Sequence, residues 1–270
     1  MNFLIVGEAC QDVFIYGKAE RLSPEAPCPV FVPSRQTVNA GMGLNVLNNL
    51  ESLSGGTVQI ISQRPNLISK TRYVDEVSNY ILFRVDQNDS ITNPLTMLEF
   101  RRRLKQQGDE LCDFDAVVIS DYSKGFLTAE FLQELSIECV AAATPIYIDT
   151  KKILGPWSEK FTYVKINEVE YKRNFANHGT KLFCHNLITT LGGQGMRWFS
   201  DDGTCLDSSG LRVEVRDVAG AGDVVLAALA TALTEGKGPQ EAMRFANRAA
   251  GIAVSKRGVV VVKRAEVENS

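Results

Sequence analysis

Histidine and tryptophan are scarce in this chain, with two of each in 270 residues. His178 and His185 stand in a polar stretch without a nearby ligand pair, so both read as surface residues rather than as metal ligands or bases. Paired cysteines are also missing. Cys10, Cys28, Cys112, Cys139, Cys184 and Cys205 lie far apart with no Cys-x-x-Cys, which indicates neither a zinc site nor a disulfide framework and suits reduced thiols in a cytosol. No apolar run is long enough to cross a bilayer, and Met1 to Gly7 reads as a buried strand rather than a signal peptide. A cytoplasmic protein with no membrane partner is therefore expected. Basic charge is not in excess either, because 29 Lys and Arg stand against 32 Asp and Glu for a net charge of −3. The run Arg101-Arg102-Arg103 reads as the solvated face of a helix, and nucleic acid is not expected as a partner. Internal repeats, low-complexity segments and long linkers are absent.

What is present is an ordinary globular composition, 44% hydrophobic and 23% charged, in a chain long enough for a large core. Short apolar runs alternate with helical patterns, which predicts βαβ units and a mainly parallel sheet. Core strands are expected at Phe3 to Val6, Val58 to Ser62, Ala116 to Ser120, Ile146 to Asp149, Tyr163 to Ile166 and Leu187 to Thr190. Helices are expected at Gly43 to Leu53, Leu95 to Gln107, Thr128 to Ala143, Val224 to Glu235 and Pro239 to Ser255, with Gly236 ending the fourth and Pro239 opening the last. Val30 to Val32 and Tyr80 to Val85 break this rhythm. They are β-rich, lie among prolines and polar residues, and predict antiparallel strands standing off the main sheet, as a lid over the strand ends where open α/β folds bind ligands.

The most informative stretch is Asp217-Val218-Ala219-Gly220-Ala221-Gly222-Asp223, followed at once by the apolar run Val224 to Thr234. The plain reading is a tight turn with an Asp cap. The other reading is a site for phosphoryl transfer. Gly220, Ala221 and Gly222 leave backbone N–H groups at the first turn of a helix free to face a phosphate, with the helix dipole adding to the attraction. Asp223 would then take the proton of an attacking hydroxyl. The helix that follows is apolar on every face and so expected to be buried, which leaves its polar N-terminus in need of a partner.

Asp217 to Asp223 resembles the C-terminal signature of the ribokinase-like (PfkB) carbohydrate kinases, Asp-x-Thr-Gly-Ala-Gly-Asp. Gly41-Met42-Gly43-Leu44-Asn45 is similar to the family's Gly-x-Gly-x-Asn sugar turn, and Asp12 follows the first strand where the family places an aspartate on sugar hydroxyls. Asn167-Glu168-Val169-Glu170 resembles its Asn-x-x-Glu motif, Thr190 to Gly195 its nucleotide loop, and Asn247 to Gly258 the helix and turn beside the adenine. The similarity covers nearly the whole chain in order. It implies an α/β fold, a three-layer α/β/α sandwich forming one domain over 1–270, with β-lid segments near 13–38 and 70–90.

The same resemblance implies a kinase using ATP and Mg²⁺ on a sugar or sugar phosphate. Asp223 would be the base and Gly220, Ala221 and Gly222 the anion hole. Asp12, Asn39, Gly41, Gly43 and Asn45 would line the sugar, and Lys70 and Arg72 would reach its distal phosphate. Asp121, Tyr122 and Lys124 would be sugar contacts or only strand-end packing. Lys151, Asn167, Thr190, Gly192, Gly195, Asn247 and Gly258 would lie along the nucleotide, Lys151 on its phosphate or on the sugar, with Asn167 and Glu170 orienting the metal and its waters.

Arg21 to Val30, Ser120 to Gly125 and Asp149-Thr150-Lys151 look like the heptose-7-phosphate kinases, which phosphorylate the anomeric hydroxyl of a mannoheptose 7-phosphate. In many relatives the kinase is fused to an adenylyltransferase; no His-x-x-His nucleotidyl motif follows here, so a second activity is expected from another chain. Three features depart from the pattern: Ala219 replaces the usual threonine, Met42 and Leu44 make the sugar turn bulkier, and Ser54 to Arg72 is shorter. A kinase for another sugar, sugar phosphate or nucleoside, and a non-catalytic sugar or nucleotide sensor, therefore stand beside the heptose reading. The apolar lid residues Phe31, Ile81 and Phe83 predict pairing in a homodimer.

Overall fold

Phe3 and Ile5 pack on one side of the first strand and Leu4 and Val6 on the other, and all four are fully buried. A strand covered on both faces needs apolar residues in succession, which is why the run reads as continuous rather than alternating. The computed structural model describes residues 1–178 and 183–270, and the side chains of 177 and 178 lie outside it, His178 among them.

Along the chain the strands are β1 (Asn2–Gly7), β2 (Ala9–Leu22), β3 (Pro29–Met42), β4 (Thr57–Ile61), β5 (Ser69–Asp75), β6 (Ile81–Gln87), β7 (Ala116–Asp121), β8 (Ile146–Thr150), β9 (Tyr163–Asn167), β10 (Asn186–Thr190), β11 (Met196–Ser200) and β12 (Cys205–Ser208). The helices are α1 (Gly43–Ser54), α2 (Met97–Gln107), α3 (Ala129–Ala141), α4 (Glu168–His178), α5 (Ala221–Thr234), α6 (Pro239–Val254) and α7 (Arg264–Glu268). The main sheet runs β12-β11-β10-β9-β8-β7-β1-β4. Its strands from β4 to β10 are parallel, and β11 and β12 continue it antiparallel.

One face packs against α1, α5, α6 and α7, and the other against α2 and α3. The result is the three-layer α/β/α sandwich. α5 lies between α1, α6 and the sheet, so its residues Asp223 to Ala232 are all buried. Its all-round apolarity thus has a direct structural cause.

The second sheet runs β3-β2-β5-β6. β2 pairs antiparallel with β3 and parallel with β5, and β5 pairs antiparallel with β6. The expected lid strands are present but longer, and β2 and β5 join them. Pro29 and Pro33 are tolerated because β3 is an edge strand. On this sheet Phe31 packs edge-on to Tyr73, which stacks on Phe83 with ring centroids 4.3 Å apart. Ile81 and Phe83 remain 52% and 45% exposed. The three arginines of α2 behave as a solvated face, with Arg101 on Glu138 and Arg102 and Arg103 on Glu99.

Candidate active site

The C-terminal ends of β7, β8, β9 and β10 open toward the N-terminus of α5, where Asp149, Lys151, Lys165, Glu170 and Asp223 come together. Gly220 enters the helix at φ 76°, a left-handed conformation that favours glycine. Gly222 sits where a methyl group would come within 3.1 Å of Lys165 Nζ and 3.6 Å of Asp149 Oδ2. The first turn of α5 therefore presents backbone to a charged cradle, with N–H groups that a helix leaves without intrahelical partners.

Asp223, one residue further, is buried, and each of its carboxylate oxygens takes one donor. Tyr122 Oη donates to Oδ1 at 2.7 Å, and Asn45 Nδ2 donates to Oδ2 at 3.0 Å. Burial pushes the carboxyl up to about 6, against the lowering effect of these two donors. Four lone-pair directions exist on a carboxylate, so two donors leave it able to accept a proton. Position 219 carries alanine, and the turn around it is held by Asp217. That side chain accepts the N–H of Ala219 through Oδ1 and of Gly258 through Oδ2, each at 2.9 Å, and pins the turn.

Beneath the turn lies a chain of buried charges. Lys165 Nζ donates to Asp149 Oδ2 at 2.6 Å, and Lys151 Nζ lies 2.7 Å from Glu170 Oε1 and 3.6 Å from Asp149 Oδ1. Burial works against the charge on Lys151, but Asp149 and Glu170 overcome it and hold the ammonium above the ordinary lysine range. Asp149 Oδ1 is buried without a hydrogen-bond partner. Asn167 and Glu170 bond reciprocally, Asn167 N–H to Oε2 at 2.7 Å and Glu170 N–H to Oδ1 of Asn167 at 2.9 Å, so the Asn-x-x-Glu motif caps α4.

Two neighbouring cavities meet at this cradle. One, of about 460 Å³, is lined by polar groups that include Tyr122, Lys151, Lys165 and Asn167. The other, of about 240 Å³, has apolar walls that include Leu211, Val213, Val225 and Val254, and Asn247 also lines it. Thr190, Gly192, Val218 and Gly222 border both. The Asn247 amide is held by Ser208 and Ser209 through bonds of 3.0 to 3.1 Å. Gly258 does not join the cavity wall; it lies in the turn on Asp217.

On the lid side, β2 and β5 bring Asp12 against Lys70 in register, with Asn39 across on β3. Arg72 does not reach outward as expected. Its guanidinium donates to Asp12 Oδ1 at 2.5 Å and lies over the ring of Phe14. Both partners are buried, and removing one side of such a pair costs about 3–5 kcal/mol. Gly41 is required by close approach, since a methyl group there would stand 2.3 Å from Asp12 Oδ2. Lys70 lies 5.0 Å over the ring of Tyr122, and no ion pair holds it among the described residues. Met42, which precedes Gly43 and α1, adopts φ 57°, so the bulkier turn is also strained.

Asp121 is engaged by neighbouring side chains. Thr150 Oγ1 donates to it at 2.5 Å and Lys152 Nζ at 2.8 Å. Lys124 pairs with Asp89. The group behind this loop is Glu8, which the sequence reading missed. Its buried carboxylate accepts the N–H of Tyr122, Lys124 and Phe126 at 2.5, 2.9 and 3.3 Å. Burial, with the charge of Asp121 second, pushes it up to about 7. The signal available was an acid set directly after an apolar strand. Lys165 carried a different one, a cation inside the buried strand β9. Asn49, four residues beyond Asn45 on α1, also escaped notice.

The pfkB family carbohydrate kinase pattern matches residues 86–264. The chain is 27% identical over 305 residues to the Bifunctional protein HldE of Bradyrhizobium diazoefficiens, covering 98% of this chain and 61% of that protein. It is 31% identical over 311 residues to the Bifunctional protein HldE of Helicobacter pylori, covering 98% of this chain and 65% of that one. The chain thus spans less than two thirds of the length of these relatives. Among solved structures, Arabidopsis thaliana ribokinase complexed with ribose and ATP aligns with a TM-score of 0.70 at 15% identity, over 99% of this chain and 97% of that one. Ribokinase of Thermotoga maritima aligns with a TM-score of 0.73 at 18% identity, over 99% and 98%. At these identities the structures establish the ribokinase-like fold, and the family match extends over most of the chain. The chain belongs to the pfkB family of carbohydrate kinases.

Proposed function

We propose that this carbohydrate kinase transfers the terminal phosphoryl group of ATP to the anomeric hydroxyl of a heptose 7-phosphate, with Asp223 as base. The observation that carries the base assignment is the carboxylate of Asp223 at the first turn of α5, buried and held by Tyr122 and Asn45 beside a cationic cradle. The ionised form is the one that accepts a proton, so activity should rise as pH increases through about 6.

The apolar cavity suits a base and the polar one a phosphate chain. Lys151, Lys165 and the first turn of α5 would bind and neutralise the phosphates, since phosphoryl transfer depends on positioning and charge rather than on covalent help. The donor set does not make a closed metal site: among the described residues no three carboxylate, histidine or cysteine groups converge, and both oxygens of Glu170 are engaged. It would fit a cation held mainly by phosphates and water, with the carboxylates of Asp149 and Glu170 adding negative charge nearby through their contacts with Lys151 and Lys165. Mg²⁺ bound so would neutralise charge on the transferring group.

The heptose assignment rests on Arg21 to Val30, Ser120 to Gly125 and Asp149 to Lys151. Arg72 is engaged by Asp12, which leaves Lys70 as the cation for a distal phosphate. That arrangement favours a second reading, a kinase for another sugar or sugar phosphate. ATP consumption with mannoheptose 7-phosphate, fructose phosphates, ribose and adenosine separates the two: turnover of the heptose phosphate alone supports the first, and turnover of another acceptor replaces it. The exposed apolar lid face supports pairing of two copies in a soluble cytoplasmic protein. A monomeric mass at working concentration would reject that pairing.

A further inference from the structure

Asn45 can serve Asp223 only if its amide faces one way. With nitrogen toward the carboxylate it donates; turned by half a rotation it would set oxygen against oxygen. Its orientation is decided at a backbone group outside the site. The N–H of Val262 can only donate, and it donates to Asn49 Oδ1 at 3.0 Å. That fixes the Asn49 nitrogen on the other side, where it donates to Asn45 Oδ1 at 3.0 Å and to the carbonyls of Asn45 and Val260 at 2.9 and 3.3 Å. With Oδ1 of Asn45 so occupied, its Nδ2 is left for Asp223 Oδ2 and for the carbonyl of Gly220 at 3.3 Å. The polarity of each amide follows from the one before it.

From this geometry we infer that Asn49 is a positioning residue for phosphoryl transfer: it fixes the face that Asn45 presents to Asp223 and ties that face to the backbone at Val260 and Val262. Asn45 and Asn49 are four apart on α1 and so share one face of the helix. Both are buried, as is Val262, and water does not compete for these donors and acceptors. Asn49 lines neither cavity, and among the described residues its side-chain hydrogen bonds reach Asp223 through Asn45. The inference rests on Asp223 as base. The remaining groups that act on the Asp223 carboxylate are Tyr122, Asp149, Lys165, Lys151 and Cys10, and none is bonded to Asn49.

The test compares Asn49→Leu, Asn45→Ala and the double variant by two readouts, steady-state kinetics and ¹³C titration of the Asp223 carboxyl carbon, assigned with Asp223→Asn. Leu keeps the volume and removes the amide. Expected are a kcat lowered about twofold at pH 7 with KM for both substrates unchanged, and an Asp223 midpoint raised by about one pH unit, the effect of a lost donor to a charged group. In the Asn45→Ala background Asn49→Leu should change neither value further. Effects that multiply in the double variant, or a midpoint unmoved by Asn49→Leu, would overturn the inference. Should Asn49→Leu not fold, Asn49→Ser carries the same comparison. The carboxyl titration does not depend on turnover, so a failed base assignment, shown by an active Asp223→Asn protein, is distinguishable from a failed relay.

Discussion

Replacing Tyr122 by Phe removes one oxygen and keeps the ring that lies beside Lys70 and Lys151. The oxygen lost is the donor to Asp223 Oδ1 at 2.7 Å. Burial and the neighbouring charge of Asp223 keep the Tyr122 hydroxyl protonated well above its ordinary range, so it donates at every pH the enzyme would meet. A hydrogen bond to a charged group contributes about 1.5–3 kcal/mol, and 1.36 kcal/mol corresponds to one pH unit, so the Asp223 midpoint should rise by roughly one to two units. Starting from about 6, it would stand at roughly 7 to 8. At pH 7 the ionised fraction would fall from about nine tenths to between roughly a half and a tenth. The assay is kcat/KM from pH 5 to 9 for both proteins. The variant should lose about two- to tenfold at pH 7 and recover toward pH 9. An acid limb that does not move, or a loss equal at every pH, would refute the account of how Asp223 is held.

Gly222→Ala places a methyl group 3.1 Å from Lys165 Nζ, so the affinity for ATP should weaken several-fold, while the helix gains up to about 1 kcal/mol of propensity. Nucleotide titration together with thermal unfolding reads both, and unchanged affinity would remove Gly222 from the phosphate cradle. Glu8 is expected to make stability fall with rising pH. Its carboxyl stands at about 7 when folded against 4.5 as a free side chain, so the proton it retains favours the folded state fully below about 4.5 and the benefit disappears as pH rises through 7. The difference of about 2.5 units corresponds to roughly 3 kcal/mol. Glu8→Gln should flatten the decline in Tm between pH 5 and 8, and parallel curves for the two proteins would contradict the assignment.

The parts of this protein legible in its sequence are those where function or topology constrains neighbours in the chain. Asp217 to Asp223 is readable because the tight turn that opens a buried helix needs small residues in succession, and Asn167 to Glu170 because a cap needs a fixed spacing. The strands of the main sheet are readable because burial on both faces demands unbroken apolar runs. The lid was half legible. β2 and β5 carry Asp12, Lys18, Lys70 and Arg72 among their residues, and only pairing with one another makes them strands. The electrostatics of the site were least legible, since its partners come from distant segments: Asp12 meets Arg72 through the register of two strands, and Asp149 meets Lys165 across adjacent ones. Asn45 illustrates the limit well. The sequence singles it out for the sugar turn, whereas its amide donates to Asp223, a contact that depends on where α1 lies against α5.

The most direct measurement is phosphoryl transfer by Asp223→Asn beside the unaltered protein, with ATP binding followed in parallel. Asn occupies the same volume but cannot take a proton at neutral pH. The account predicts that turnover falls by at least about a hundredfold, within the range that general base catalysis supplies, while nucleotide affinity stays within about twofold. Turnover that survives the substitution would contradict it and place the base elsewhere.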